Sequence, residues 1–474
     1  MCSIEDSPII FDEVKIKPEV KICIKCKTST ATILIRHSTY CKPCFQHVFV
    51  GKFRKNMEKY KTSNSKIDEK VMIGLSGGPS SRAMLHLLSE IFSHELSKKQ
   101  SFTEVWVCHI DENSIFNLKD STINQVEQIV QKYNSLFIGL RIEDIYSDEF
   151  TSNMEFGQVL KISIDKSKQQ EFNEFNATIR QNKELSNKEK LQSLLECISN
   201  LTSKEDFVWY LKLSLLIQTA RKKGCTRLFL GDCSTRLATK IISLTSKGRG
   251  SSLPIEILGE NNYFGDVIIS RPMKDMISKE IGLYNHYLGF ETVFIPSLTS
   301  LQPSKSSIER LTEDFIVGLE RDYPSTVSTI ARTGSKLTIS NSIDDENRCA
   351  LCLMPYRNEN KFFQNRITLT KIPSSISTTN DCNTATNNCN DHCNPVTVSC
   401  SQSCCSDCIK PTKLDHQNIE INNTLCHACR VNMRDINEIF LPPYVAEEAK
   451  RQNRRLDLRK NIEEFLIDDI DDDQ

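Results

Sequence analysis

Eight cysteines fall into four C-x-x-C pairs: Cys23 with Cys26, Cys41 with Cys44, Cys349 with Cys352, and Cys426 with Cys429. Fourteen residues separate the first pair from the second, an interval at which two knuckles bring four thiolates into one tetrahedron. Zinc suits that donor set because its filled d shell imposes no other geometry. His37 lies between these pairs, but four thiols already close the site. The other two pairs read as halves of a second four-thiolate knuckle, split by an insert whose closure entropy grows only slowly with length. His392 and His427 are bystanders to it.

A second kind of chemistry is suggested by Ser76-Gly77-Gly78-Pro79-Ser80-Ser81. A short buried strand is expected over 71–75 and a helix over 82–97, so the segment reads strand, glycine turn, helix. Two glycines let the backbone turn sharply and present N–H groups to an anion, and the helix amino end adds a favourable dipole. This is a phosphate cradle in outline. Further strands are expected over 104–110, ending at Asp111, and over 135–140, with a helix over 207–223 and a strand over 227–230. Asp111 is open between a functional role and the capping of a turn. The last strand runs into Gly231-Asp232-Cys233-Ser234-Thr235-Arg236-Leu237-Ala238, so two loops fall at carboxyl ends of strands, where open α/β sheets collect ligands.

Cations close to these features are Lys52, Arg54 and Lys55, in a run with interleaved aromatics that continues to Lys59-Tyr60-Lys61, and Arg236 and Lys240 after the second loop. The run is open between phosphate contact and a solvated helix face linking the cysteine module to the core. Arg236 is open between ligand and structural ion pair. Asp232 equally suits a helix cap, and Arg271 and Asp275 suit packing.

Sixty Lys and Arg against sixty-one Asp and Glu leave a net charge of −1, which excludes a globally basic RNA-binding tail or a supercharged acidic chaperone. Any anionic partner must be gripped locally. The 474 residues are hydrophobic at only 39%, so the core is concentrated away from polar stretches. The divisions expected are an N-terminal zinc ribbon and basic linker over 1–60, an α/β core over 61–330 with a polar insert near 151–190, a split C-terminal knuckle over 331–445 with a low-complexity insert near 373–423, and a charged tail over 446–474. Seven cysteines of the later insert, from Cys382 to Cys408, show no regular ligand spacing. The tail swings from basic over 450–460 to acidic over 463–473 and is assigned no chemistry. MCSIEDSP lacks the organisation of a secretory signal, and no apolar run approaches the roughly 18 residues of a membrane span. A soluble intracellular protein without a membrane partner is expected, where paired cysteines more often mean metal than disulfide.

Taken in order, the amino-terminal C-x-x-C pair, VMIGLSGG, GDCSTRLATKI, SLTSKGRG, RPMKD, KEIGLYNHYLGF, SSIERLTEDFI and YPSTVSTIARTGSKL resemble the cytoplasmic tRNA 2-thiolation protein 2 family over nearly the whole chain outside the two inserts. The resemblance implies a parallel-sheet PP-loop core of the adenine nucleotide alpha hydrolase kind, flanked by N- and C-terminal zinc-ribbon-type modules. It implies a cytoplasmic subunit of the complex that forms 5-methoxycarbonylmethyl-2-thiouridine at the wobble position of tRNA Lys, Glu and Gln. The implied partners are tRNA, a catalytic PP-loop thiolase paralogue in a heterodimer, and a thiocarboxylated ubiquitin-like carrier that supplies sulfur.

In PP-loop enzymes a loop of the form S-G-G-x-D-S holds the phosphates of ATP while the uridine oxygen is activated as an adenylate. Ser76, Gly77, Gly78 and Ser81 take those serine and glycine positions, as a nucleotide site open between a working and a vestigial one. Ser80 replaces the aspartate, and a neutral hydroxyl is a weak ligand for magnesium. Pro79 removes one backbone donor. Catalytic thiolases carry paired cysteines around the second loop, whereas this chain offers Cys197, Cys225 and Cys233 and has none over 234–348. The expectation is a non-catalytic partner that binds tRNA and supports the active subunit, with one or two structural zinc ions. ATP and magnesium stay open. The alternatives are an ATP-dependent tRNA-adenylating sulfurtransferase in its own right, or a zinc-dependent interaction scaffold with no RNA role.

Overall fold

A computed structural model describes residues 22–60, 69–95, 102–118, 121–133, 135–147, 150, 185–293, 295–323, 325–338, 348–356, 421, 424–433 and 440–463. Most of the insert expected near 151–190, the seven cysteines from Cys382 to Cys408, Lys61 and the acidic run beyond 463 lie outside these residues. Two compact units are present: Met1–Ser340 with Asp435–Pro443, and Asn341–Arg434 with Tyr444–Gln474.

The first unit opens with an antiparallel hairpin, β1 (Ile33–Ile35) and β2 (Ser38–Tyr40), followed by helix α1 (Lys42–Tyr60). Phe45, Phe49, Phe53 and Met57 recur every four residues on α1, which puts them on one face, and all four are buried. Then come β3 (Glu69–Gly74), α2 (Pro79–Glu95), β4 (Phe102–Asp111), α3 (Ile123–Val130), β5 (Leu136–Arg141), α4 (Asn187–Cys197) and α5 (Leu201–Lys222). The unit continues through β6 (Arg227–Phe229), α6 (Ser234–Ser246), α7 (Leu253–Ile257), β7 (Glu260–Asn261), β8 (Ile268–Ser270), α8 (Ser278–Leu288), α9 (Ile308–Asp322) and α10 (Thr326–Gly334).

Six strands form one sheet in the order β5-β4-β3-β6-β8-β7. The core is therefore α/β, but the expectation of a wholly parallel sheet is corrected at one edge, where β7 pairs antiparallel with β8. The reason is local. Only 262–267 join these two strands, too few for a crossover, and Gly265 turns the chain at φ +76° with its N–H bonded to Asn262 O at 2.9 Å. The other expected strands and helices stand within three residues of their forecast limits, except that α5 starts six residues before 207, where Asn200 Oδ1 accepts from Thr202 N at 2.9 Å and caps it. Helix α4 begins earlier than the insert boundary at 190 implied, because Ser186 and Glu189 form a reciprocal capping box: Glu189 Oε2 accepts from Ser186 N at 2.7 Å, and Ser186 Oγ accepts from Glu189 N at 3.3 Å.

The cysteine module is bound to the sheet layer through α1 and α8. Phe49 stacks on Tyr284 at 4.3 Å, Phe45 meets the edge of Tyr287 at 6.3 Å, and Asn56 Nδ2 donates to Pro272 O at 3.0 Å. In the second unit, helix α11 (His427–Asn432) follows the last cysteine pair, and α12 (Pro443–Glu463) places Tyr444 Oη 3.0 Å from Leu351 O with Val445 and Ala449 buried. The first half of the stretch expected as a charged tail is thus helical. Among the described residues no helix is long and apolar enough to cross a membrane.

Truncating Phe49 would remove the largest aromatic contact between α1 and α8. Phe49→Ala is expected to cost about 3–5 kcal/mol, whereas Leu118→Ala, at a side chain 48% exposed, stays within about 0.5 kcal/mol of the parent in urea unfolding.

Candidate functional site

β3 and β6 are parallel neighbours, so the loops that follow them emerge side by side at the carboxyl edge of the sheet. Gly77 sits at φ +79°, and its carbonyl accepts from Val293 N at 3.1 Å. A Cβ at Gly77 would lie 3.0 Å from Ile295 Cδ1 and 3.4 Å from Val293 Cβ, so an apolar segment already covers the glycine turn. On the other side Gly231 packs so closely that its Cβ would lie 3.1 Å from both the Cα and the N of Ser81. Ser80 Oγ donates to Gly231 O, Ser81 Oγ donates to Gly78 O at 3.1 Å, and Ser76 Oγ and Ser81 Oγ are 3.1 Å apart. The hydroxyl of Ser80 therefore joins the two loops. An aspartate there would turn an acceptor toward the Gly231 carbonyl with no proton to give.

Three residues that sequence reasoning missed complete this frame. Asn285 Nδ2 on α8 donates to Pro79 O at 2.8 Å. Arg82 is buried, donates to Tyr133 Oη at 2.6 Å, and lies 4.3 Å from the Phe290 ring centre. His109 is buried, 2.8 Å from Leu75 O and 2.9 Å from Thr122 Oγ1. A carbonyl only accepts, so Nδ1 carries the proton, and burial pushes the imidazole pKa down, keeping the ring neutral. Asp111 does serve a turn: its Oδ1 accepts from Asn113 N at 3.0 Å and its Oδ2 from Ser121 Oγ at 2.8 Å. No spacing rule would have selected Asn285 or His109, but Arg82, an arginine at the start of an otherwise apolar helix face, was a readable signal.

The polar residues of the second loop turn inward. Asp232 Oδ2 accepts from Lys240 Nζ and from Arg271 Nε, each at 3.0 Å, and Lys240 also lies 4.2 Å from the Trp209 ring centre. Burial opposes ionisation of Asp232 more than any other single influence, but the attraction of Lys240 and Arg271 together outweighs it and leaves its pKa at about 2. Burial pushes the Lys240 pKa down, against the attraction of Asp232. Lys240 is 9% exposed, so its expected place among cations offered to RNA is corrected: its ammonium is committed to an interior pair. Arg236 keeps a side chain 54% exposed, 4.0 Å from Glu313. The two cations of the SLTSKGRG segment likewise turn inward, since Lys247 Nζ and Arg249 Nη2 reach Asp206 at 2.6 and 3.0 Å. Asp232 is not a helix cap, because α6 has Cys233 at its N-cap and no side-chain capping bond.

The buried thiols of the sheet are poor nucleophiles. Burial pushes up the Cys233 thiol at this edge, the Cys108 thiol on β4 to about 12 and the Cys225 thiol, which precedes β6 at the opposite edge, to about 11, so all three are protonated at neutral pH. The basic run is also split by its helix: Lys52 pairs with Glu280 at 2.6 Å, Phe53 is fully buried in the core, and among the described cations of the run Arg54 and Lys55 are the exposed ones. Phe53 is thereby excluded as a stacking platform.

The two cysteine sets do converge. The Sγ atoms of Cys23, Cys26, Cys41 and Cys44 lie within 4.8 Å of one another, and so do those of Cys349, Cys352, Cys426 and Cys429. Cys26 and Cys41, and Cys352 and Cys426, are 3.9 Å apart, close to the roughly 3.8 Å edge of a tetrahedron with metal–sulfur bonds near 2.3 Å. Both sets are built alike. The carbonyl of the first cysteine accepts from the residue four positions on, Lys27 or Leu353, at 2.9 Å, and that residue is left-handed with φ +57° or +61°. The third cysteine starts a helix, with Phe45 N bonded to Cys41 O and Arg430 N to Cys426 O at 2.9 Å. Crowding divides the protons: hydrogen bonds from Thr28 and Ser29 hold Cys26 down at about 5, while the Cys41 thiol and then burial push Cys44 up to about 12. His37 is exposed and stands outside the set.

Among relatives, a protein of Xenopus tropicalis named cytoplasmic tRNA 2-thiolation protein 2 is 31% identical over 99% of both chains, and one of the same name from Danio rerio is 31% identical over 95% of both. The family's sequence profile, described as cytoplasmic tRNA 2-thiolation protein 2, matches residues 307–431. This chain belongs to that family. Among solved structures, the chain is similar to the U34-tRNA thiolase NcsA of Methanococcus maripaludis with its [4Fe-4S] cluster, at a TM-score of 0.45 and 16% identity, covering 68% of this chain and 91% of that one. The family profile starts where α9 meets the interior charge network: Ser307 Oγ donates to Glu205 at 3.0 Å, and Glu309 accepts from Lys247 at 2.5 Å.

Two outcomes test this geometry. Asp232→Asn leaves Lys240 and Arg271 facing each other without their counter-ion and is expected to cost about 3–5 kcal/mol. Because its folded pKa lies at about 2, below the ordinary 3.8, the Asp232 carboxylate adds stability above that ordinary value, and the contribution disappears as pH falls toward about 2; melting curves across this window should show a shallower acid slope in the variant. Separately, purified protein should carry about two equivalents of zinc, and Cys26→Ser and Cys352→Ser should each remove about one by atomic absorption.

Proposed function

We propose that this chain is the non-catalytic partner subunit of the cytoplasmic complex that 2-thiolates wobble uridine, and that it holds tRNA for a catalytic PP-loop paralogue. Its β3–loop–α2 segment reads as a PP-loop element whose catalytic use has lapsed, and its two cysteine sets read as structural zinc modules of the ribbon kind. The observation that carries this reading is the Ser80 hydroxyl donating to Gly231 O. It ties together two loops that in an active PP-loop enzyme would hold nucleotide phosphates and magnesium between them. The residue types agree: no acid stands in the Ser76–Ser81 loop for a cation, Val293 and Ile295 cover the glycine turn, and the thiol of the second loop, Cys233, is protonated.

The remaining contribution is binding. Arg54 and Lys55 are exposed on α1, beside the cysteine module, and Arg236 is half-exposed near the second loop. Phosphates satisfied by such cations would place the anticodon arm against the paralogue, which would supply adenylation and accept sulfur from a thiocarboxylated ubiquitin-like carrier. Lys52 belongs to the same patch by position, although its ammonium is shared with Glu280.

Reconstitution tests the proposal. Unmodified tRNA Lys, Glu or Gln incubated with the paralogue, carrier, ATP and magnesium should acquire the mercury-retarded mobility of thiolated tRNA only when this chain is present. Ser80→Ala in this chain should leave the yield within about twofold, since a hydrogen bond of about 1 kcal/mol is lost and no reacting group. Thiolation by this chain without the paralogue would overturn the reading.

A further inference from the structure

Between the β1–β2 hairpin, α1 and α8 lies a concave site with about 200 Å³ of room, bordered by Arg36, Tyr40, Val48, Phe49, Lys52 and Glu280. Its polar groups are incompletely used. Glu280 is 1% exposed; one oxygen accepts from Lys52 Nζ at 2.6 Å, and the other, Oε2, is buried with no hydrogen-bond partner among the described residues. Arg36 Nε is likewise buried and unpaired. Arg36 is also held at φ +54° in the hairpin turn, a left-handed conformation that a β-carbon disfavours. An acceptor and a donor left unsatisfied beside aromatic rings are costly unless something that visits the site completes them.

We infer that this site receives a single unstacked nucleobase of bound RNA, one bearing an exocyclic amino group, with Glu280 accepting its N–H and Arg36 donating to a ring acceptor. The inference rests on the tRNA-binding reading and deepens it. The ligand must donate a proton to Glu280, which excludes a carboxylate or phosphate as the inserted group. Lys52 and Arg36 outnumber Glu280, so a second ammonium or guanidinium is disfavoured. A neutral, flat N–H donor attached to an anionic chain meets both conditions. The half-buried Tyr40 ring at its border suits a flat ligand, and Arg54 and Lys55, further along α1 and exposed, suit the flanking phosphates. Uracil presents carbonyl oxygens on both sides of its one N–H and would bring an acceptor against the carboxylate, whereas adenine and cytosine offer an amino group next to a ring acceptor.

Fluorescence anisotropy with the full chain and short oligoadenylate, oligocytidylate and oligouridylate tests this, with unmodified tRNA measured in parallel over a salt series. Oligoadenylate and oligocytidylate should bind about tenfold more tightly than oligouridylate, the value of one hydrogen bond to a charged group. Glu280→Gln, whose amide can also donate to a carbonyl, should erase that preference. Val48→Trp, which fills the site while keeping the Lys52–Glu280 pair, should erase it too and decides the matter if Glu280→Gln fails to fold. Equal affinities for the three oligonucleotides, or a preference untouched by Val48→Trp, would overturn the inference. In that case tRNA affinity that still falls steeply with salt, and less steeply after Arg54→Glu with Lys55→Glu, leaves the tRNA-binding reading standing; absence of any tRNA binding overturns both. Oligoglutamate binding in place of RNA, lost in Val48→Trp, would assign the site to an acidic peptide and also overturn the inference.

Discussion

The approach of Gly231 to the backbone of Ser81 sets the geometry of the carboxyl edge, because a side chain at Gly231 would lie 3.1 Å from that backbone and push the loop after β6 away from the start of α2. With the two loops in backbone contact, the side chain at position 80 has one partner within reach, a carbonyl. Only a donor satisfies it, which is a physical reason for a hydroxyl where a carboxylate would serve magnesium. The same closeness sends the next residue, Asp232, inward, where two cations must meet it. Asp232 and its partners are therefore consequences of loop packing, and their burial is tolerable only because the charges are matched.

That matching extends through the helical layer. Asp206 takes Lys247 and Arg249, Glu309 shares Lys247, Tyr210 Oη donates to Glu256 at 3.0 Å, and Arg249 lies 4.9 Å from the Tyr210 ring centre. The most recognisable strings of the sequence, GDCSTRLATKI, SLTSKGRG and RPMKD, prove to be the pieces of this interior network. Among the described residues, the cations of these strings mostly take interior carboxylates as partners. The lone exposed arginine in those strings, Arg236, is the exception.

Much of the fold could be read because its signals are local. Strands β3, β4 and β5 are apolar runs bounded by turn residues, α5 ends in cations followed by Gly224, and the four C-x-x-C pairs announce their own convergence. What could not be read depends on distant partners. Strands β7 and β8 have two and three residues, too short for any periodicity, and β8 is placed by pairing with β6. Lys240 looks like a surface cation on a helix until Asp232 and Trp209 are seen beside it. Phe53 looks like an aromatic set among cations, whereas its four-residue spacing from Phe49 and Met57 was the stronger signal. Ser186-x-x-Glu189 was a legible helix start that the polar composition around it obscured.

The two cysteine sets share a plan that sequence spacing alone does not express. In each, the first pair closes a turn around a left-handed residue that is not glycine, and the second pair opens a helix, so four sulfurs are brought together by backbone geometry on both sides. A lysine and a leucine held left-handed cost about 1–2 kcal/mol each, a strain that a tetrahedral metal bond energy of about 10 kcal/mol or more easily covers. In the first unit the helix so opened is α1, which carries the aromatic face packed on α8 and the cations turned to solvent. A metal at Cys23, Cys26, Cys41 and Cys44 would therefore fix the direction of α1, and with it the position of Arg54 and Lys55 relative to the Ser76 loop. Were a metal held there and RNA phosphates met by those cations, the two events would be coupled through one helix, with no thiol needing to touch RNA.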